Sequence, residues 1–124
     1  AAKRLAHWRQ VAVAACEQCG RNRVPQVDDI QSLPQFLAVM RSEGDAKTTR
    51  LILSLRGQEK LSAVPQPRGD IVLLIGPEGD FEDGEEQAAL ASGFHPVALG
   101  PRILRTETAG LAAIATLQAR WGDF

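Results

Sequence analysis

The sequence predicts an α/β protein with a mostly parallel sheet and flanking helices. Three observations carry that expectation. Two short apolar runs, at residues 51–55 and 71–75, have the length of buried strands. Stretches with helical apolar spacing lie before, between and after the strand-like runs, the alternation that places parallel strands in one sheet. The runs end abruptly in turns rich in glycine and proline. The 124 residues suffice for one domain with a hydrophobic core, and 44% hydrophobic with 23% charged residues is ordinary for a globular chain.

Residues 4–19 read as an amphipathic helix, with Leu5, Trp8, Ala12, Ala15, Cys16 and Cys19 on one face and Gly20 as its stop. A second short helix is expected within 30–43, where Leu33, Phe36, Leu37 and Met40 align and Ser32 precedes Pro34 at the start. Residues 51–55 are the first strand, and 56–70, with Gly57, Pro65, Pro67 and Gly69, read as a loop. The run at 71–75 is apolar at every position and is expected to be covered on both faces. Residues 82–92 read as a helix whose acidic start (Glu82, Asp83, Glu85, Glu86) suits the helix dipole and whose stop is Gly93. A third strand is expected at 96–99. The last helix spans 106–121, with Thr106 or Thr108 as its cap. Its Ala109, Gly110, Ala112, Ala113, Ala115 and Ala119 leave little bulk, which favours close packing within the chain or across a dimer.

Several function classes are disfavoured. No apolar stretch reaches the roughly 18–20 residues of a membrane helix, and no apolar h-region follows Ala1-Ala2-Lys3-Arg4, so no signal peptide is expected. Two cysteines without signs of secretion point to a reducing, cytoplasmic setting. Cys16-x-x-Cys19 is a single pair on an apolar helix face and reads as two buried free thiols. His7 and His95 lack ligand-like partners in sequence, so no metal site is expected. The net charge of −1 argues against autonomous nucleic-acid binding; affinity for RNA would need a local patch, a second subunit or another domain. Gln18, Arg21 and Arg23 are candidate RNA contacts or simple helix-end residues.

Ligands of open parallel sheets bind beyond the carboxyl ends of the strands, so the chemistry is sought in two loops. In the first, Ile75-Gly76-Pro77-Glu78-Gly79-Asp80-Phe81, Gly76 and Gly79 permit backbone conformations closed to other residues, Pro77 stiffens the turn, and Glu78 sets an anion at the sheet edge. A plain strand-to-helix turn explains the same residues. The spacing is not that of a phosphate loop, which disfavours a nucleotide-binding regulatory domain. In the second loop, Arg102 and Arg105 flank Ile103-Leu104, and an apolar pair there is expected to pack on an adenine ring or a neighbouring loop; a solvated arginine pair over a core dipeptide is the plain alternative.

Together the two loops resemble the signature of the SPOUT methyltransferases and, more narrowly, the bacterial 16S ribosomal RNA uridine N3-methyltransferase family. The matching stretches are 73–79 (LLIGPEG), 99–109 (LGPRILRTETA), 113–124 (AIATLQARWGDF) and 14–25 (AACEQCGRNRVP), in the family's order; 26–70 match weakly. Asp80 departs from the family, which usually has a second glycine there. The resemblance implies that the chain is the C-terminal part of the catalytic domain, residues 1–124 forming one domain, with an N-terminal RNA-binding barrel and the first catalytic-domain elements outside it. It also implies a trefoil knot in which the segment after Leu99 threads through the loop holding Gly76 and Gly79. S-adenosylmethionine (SAM) would sit folded there on backbone groups of Leu55, Ile75, Gly76, Glu78, Gly79, Leu99, Gly100, Ile103, Leu104 and Arg105.

The implied reaction moves a methyl group from a sulfonium to N3 of a uridine in 16S ribosomal RNA, and N3 must lose its proton. Arg105 and Arg102 are candidate cations for the anionic imide, and Glu107 or Glu78 for a base, although either carboxylate serves equally well as a structural partner of an amide or an arginine. Enzymes of this kind generally pair, so a homodimer through the C-terminal helix is expected. The rival readings are a catalytically inert knotted binding module or fragment, and a SPOUT enzyme acting on a different RNA nucleotide.

Overall fold

Alternation along the strands decides which layer each side chain enters, and it builds a sheet covered on both faces. The computed structural model describes residues 1–124 and consists of two compact units, Ala1–Ser32 and Leu33–Phe124. In the larger unit the elements run α2 (Leu33–Glu43), β1 (Thr49–Leu53), β2 (Glu59–Lys60), a 3-10 turn (Leu61–Ala63), β3 (Ile71–Leu74), α3 (Asp83–Ala91), β4 (His95–Ala98) and α4 (Thr106–Trp121). All strand pairs are parallel, in the order β2-β4-β1-β3.

Successive side chains of a strand point to opposite faces. Leu51, Leu53, Ile71, Leu73 and Val97 therefore join Leu61, Val64, Ala113, Leu117 and Trp121 in one core layer, under α4 and the 3-10 turn. Ile52, Val72 and Leu74 join Leu33, Phe36, Leu37, Met40, Ala89 and Phe94 in the other, under α2 and α3. Leu37, Leu51, Ile52 and Val97 are fully buried, each contributing about 1.5–3 kcal/mol of transfer free energy. The small residues of α4 have a direct use: Ala109 and Ala113 are buried, and a Cβ on Gly110 would stand 3.2 Å from Ile75 Cδ1.

Arginines fasten the helix ends. Arg50 donates to the carbonyls of Ser92 (2.7 Å) and Met40 (2.7 Å), satisfying acceptors at the ends of α3 and α2. Arg120 donates to Val64 O (2.7 Å) and lies 3.9 Å from the centroid of the Trp121 ring, tying the 3-10 turn to α4. Gly93 ends α3 with φ +86, as its position after the helix predicts.

Four expectations are corrected. The segment 56–70 is not all loop: it holds β2 and the 3-10 turn. β2 has two polar residues and no apolar period, so nothing in its sequence marks a strand. The run at 71–75 faces both core layers as expected, yet every residue of β3 is only half-buried, because β3 is an edge strand and β1 is central. The first strand is Thr49–Leu53, so Ser54 and Leu55 belong to the following turn. Neither Thr106 nor Thr108 caps α4: Arg105 occupies the N-cap position without a side-chain cap bond, and the Thr106 hydroxyl is committed elsewhere.

In the smaller unit, α1 (Ala2–Cys19) ends at Gly20 in the left-handed conformation with φ 79. Arg9 donates to Val27 O (2.9 and 3.0 Å) and pairs with Asp29 (3.1 Å). Cys16 is buried, but Cys19 is exposed, as are Trp8 and Ala15, so the expected pair of buried thiols is a single one. No helix is long and apolar enough to cross a membrane.

Candidate functional site

The site begins where the three longer strands end. β1 is flanked by β3 on one side and β4 on the other, so the turns leaving these strands converge at one end of the sheet, the position at which parallel sheets hold ligands. A cleft of about 790 Å³ opens there, within the range of roughly 300–1,000 Å³ typical of small-molecule sites. Its walls are residues of the turn after β1 (Ser54, Leu55, Gly57), of the loop after β3 (Ile75, Gly76, Pro77, Glu78, Asp80) and of the loop after β4 (Leu99 through Thr106, with Glu107 and Ala109 of α4).

Each wall has a local cause. After β1, the Ser54 amide extends the ladder to Val97 O (3.0 Å), and the Gly57 amide closes the turn on Ser54 O (3.1 Å). Gly57 lies so close to β4 that a Cβ there would meet the Val97 carbonyl carbon at 2.7 Å. After β3, the Asp80 amide donates to Pro77 O (2.8 Å), closing a tight turn. After β4, Gly100 takes φ +107, which glycine alone adopts freely. Arg105 then starts α4, its carbonyl accepting the amides of Thr108 (2.9 Å) and Ala109 (2.7 Å). The Thr106 hydroxyl donates to Gly76 O (3.0 Å), which pins the second glycine-bounded loop against the first.

Of the residues singled out in the sequence, Leu55, Ile75, Gly76, Glu78, Leu99, Gly100, Arg102, Ile103, Leu104, Arg105 and Glu107 line this one cleft. Gly79 does not; it is exposed in the turn behind Glu78. Of the alternatives for the Ile103-Leu104 pair, a core dipeptide and packing on a neighbouring loop do not hold for Ile103. Leu104 is half-buried, while Ile103 is 77% exposed, leaving an apolar side chain at the cleft for a ligand's flat face. Leu55, 61% exposed, is in the same condition on the opposite wall. Gly76 and Gly79 do not take the left-handed conformation; Asp80 does, with φ 66. The strain thus falls on the position where the resembling family carries glycine. Aspartate tolerates this region better than most residues but less well than glycine. Asp80→Gly is expected to stabilise the chain by about 0.5–1 kcal/mol, read as a higher urea midpoint at unchanged slope.

Sequence reasoning missed an ionic group beneath the first wall. Arg56 pairs with Asp83 and lies 3.5 Å from Glu86 Oε2, and Ser54 donates a hydrogen bond to Glu86 Oε1. The hydrogen bond and charge of Asp83, with Glu86 and Asp80 behind, hold the Arg56 pKa above its usual value. A raised folded-state pKa gives stability that is full below the unfolded value and lost only as pH climbs through the folded one. For arginine that window lies in strong alkali, so this cation stays charged at any working pH.

The RNA methyltransferase domain family matches residues 1–118. This chain belongs to that family. Among RNA methyltransferase relatives, "Ribosomal RNA small subunit methyltransferase E" of Buchnera aphidicola from Schizaphis graminum is 36% identical over 121 residues, which is 98% of this chain and 48% of that protein. The protein of the same name from Mycobacterium tuberculosis is 35% identical over 96% of this chain and 47% of its own length. Among solved structures, that of the Neisseria gonorrhoeae protein of this name, bound to S-adenosyl methionine, superposes with a TM-score of 0.92 at 48% identity over 100% of this chain and 51% of that one. A Legionella pneumophila protein in complex with bound SAM has a TM-score of 0.84 at 40% identity, over 96% of this chain and 47% of that one. The chain therefore spans about half the length of the relatives it matches.

Proposed function

We propose that this chain forms the cofactor-binding half of an enzyme that transfers a methyl group from SAM to N3 of a uridine in 16S ribosomal RNA, in the cytoplasm. The observation that carries the reading is the cleft at the carboxyl end of the sheet, where two glycine-bounded loops joined by the Thr106–Gly76 hydrogen bond meet the turn after β1. Its residues suit the cofactor. Ile75, Leu99, Ile103 and Leu104 offer apolar surface for an adenine. Main-chain groups of the loops offer hydrogen bonds, and a side chain on Gly100 would project into open space rather than into protein. Glu78, Asp80 and Glu107 add carboxylates that favour a sulfonium and an ammonium. The proposed contacts are Leu55, Ile75, Gly76, Glu78, Leu99, Gly100, Ile103, Leu104 and Arg105; Gly79, which lies outside the cleft, is not among them.

The bound cofactor supplies an electrophilic methyl group. The chain's own residues serve the nucleophile. Uridine N3 attacks only when its lone pair is freed from the proton, and the resulting charge spreads over the two flanking carbonyl oxygens. Arg105, at the start of α4, and Arg102 line the cleft, and their guanidinium groups would stabilise that charge. The positive end of the α4 dipole adds to the same field. Glu107, exposed on the first turn of α4, or Glu78 on the facing loop would take the N3 proton as the N–CH3 bond forms. We further propose that the segment after Leu99 is threaded as a knot, with the parts of the catalytic domain and the RNA-binding barrel that precede this chain completing the enzyme. Two copies would pair through α4, whose Leu111 and Ile114 are 72% and 54% exposed.

Methyl transfer from isotope-labelled SAM to unmodified 16S RNA, followed by mass spectrometry of the nucleosides, tests the reading. The expected product is N3-methyluridine; label on a ribose oxygen or on guanine N1 would assign a different nucleotide, and no label would favour the inert module.

A further inference from the structure

Glu86 is the one carboxylate of the chain that is buried, at 8% exposure, and no part of the proposed chemistry uses it. Burying a carboxylate is costly unless its charge and lone pairs are matched. Glu86 is matched entirely by the turn after β1. Ser54, itself buried, donates its hydroxyl to Oε1, and the Arg56 guanidinium lies 3.5 Å from Oε2. The same hydroxyl accepts the Arg56 amide at 3.1 Å. One carboxylate on α3 thus sets the direction of the Ser54 hydroxyl, and through it the backbone that lifts Leu55 into the cleft.

We infer that Glu86 is a positioning residue for the cofactor: acting through Ser54 and Arg56, it holds the turn after β1 in the shape that completes the third wall of the cleft. The inference rests on the reading of the cleft as a SAM site. Two features of the molecule favour such a device beside the backbone bonds of Ser54 and Gly57. Leu55 exposes a large apolar side chain that water disfavours, so the turn has no hydrophobic reason to hold it outward. The opposite wall is fixed by the Thr106–Gly76 bond, whereas this turn is held on the α3 side by Ser54, Arg56 and their acidic partners. A loop left free to move would have to be ordered by the ligand, and the affinity would fall by that cost.

The test is calorimetry of SAM with the purified protein and with Ser54→Ala, Glu86→Ala and Glu86→Gln, at a temperature where melting curves show each to be folded. Ser54→Ala and Glu86→Ala are expected to weaken binding about tenfold. Glu86→Gln keeps an acceptor for the Ser54 hydroxyl and is expected to recover most of that loss. In turnover, the change should fall on the KM for SAM, with kcat retained at saturation. If Glu86→Ala does not fold, Ser54→Ala decides. Folded Ser54→Ala protein that binds SAM as tightly as the unaltered chain overturns the inference, as does Glu86→Gln losing as much as Glu86→Ala. Failure of the unaltered protein to bind SAM overturns the proposed function instead, and the inference falls with it.

Discussion

Arg105→Ala is expected to lower the rate of methyl transfer by roughly two to three orders of magnitude, the usual loss when one preorganised donor to a developing anion is removed. The loss should appear in kcat, because the cation is needed when N3 gives up its proton and hardly before. The backbone of Arg105 starts α4 through its carbonyl, which accepts the amides of Thr108 and Ala109. Truncating the side chain leaves that geometry in place. SAM affinity, to which Arg105 contributes through its main chain in this account, should change much less than the rate. Arg105→Lys keeps the charge but loses the planar fork, so an intermediate rate is expected. Single-turnover measurements with saturating RNA separate the two quantities. Equal losses in SAM binding and in rate would place Arg105 in the cofactor site alone.

Gly57→Ala is expected to destabilise the chain strongly. The added methyl would meet three backbone atoms of Val97, at 2.7, 3.0 and 3.1 Å. Val97 is fully buried on a strand paired on both sides, so it cannot retreat. The turn after β1 must move instead, which breaks the Ser54–Val97 and Gly57–Ser54 hydrogen bonds. Overpacking of this kind costs about 1–3 kcal/mol, or roughly 4–12 °C in melting temperature for a chain of this size. The same movement withdraws Leu55 from the cleft, so SAM binding should weaken as well. Gly84→Ala is the matched control. It lies in α3 with no heavy atom within 4 Å of the added methyl, and is expected to gain about 0.5–1 kcal/mol from helix propensity. Calorimetric melting of both variants checks the pair.

Much of this architecture is legible in the sequence, and the reasons are local. Residues 71–75 announce a strand because every position is apolar, and α4 is bounded by Gly100-Pro101 before it and Gly122 after it. The two glycine-bounded loops identify one end of the sheet as the place for chemistry, and eleven of the residues singled out from those loops and from the family resemblance line a single cleft. What was not legible depends on distant partners. β2 is two polar residues whose strand character comes only from pairing with β4. Glu86 reads as one of four acidic residues suited to a helix start, and only the fold brings Ser54, 32 residues earlier, onto its carboxylate. The left-handed backbone at Asp80 likewise follows from the Pro77 turn and not from the residue, since an aspartate alone does not signal positive φ. Asp80 stands out in sequence only as a departure from a resembling family; the backbone explains why glycine suits that position.

The central claim is that the three loops at the carboxyl end of the sheet close on SAM. Titrating SAM into the isotope-labelled 13.4 kDa chain while following its backbone amides by NMR tests it most directly. The account predicts that the signals which move belong to residues 54–57, 75–80 and 99–107, with α2 and the 24–29 segment unmoved. Shifts confined to any other region, or none at concentrations where SAM is in large excess, would contradict it.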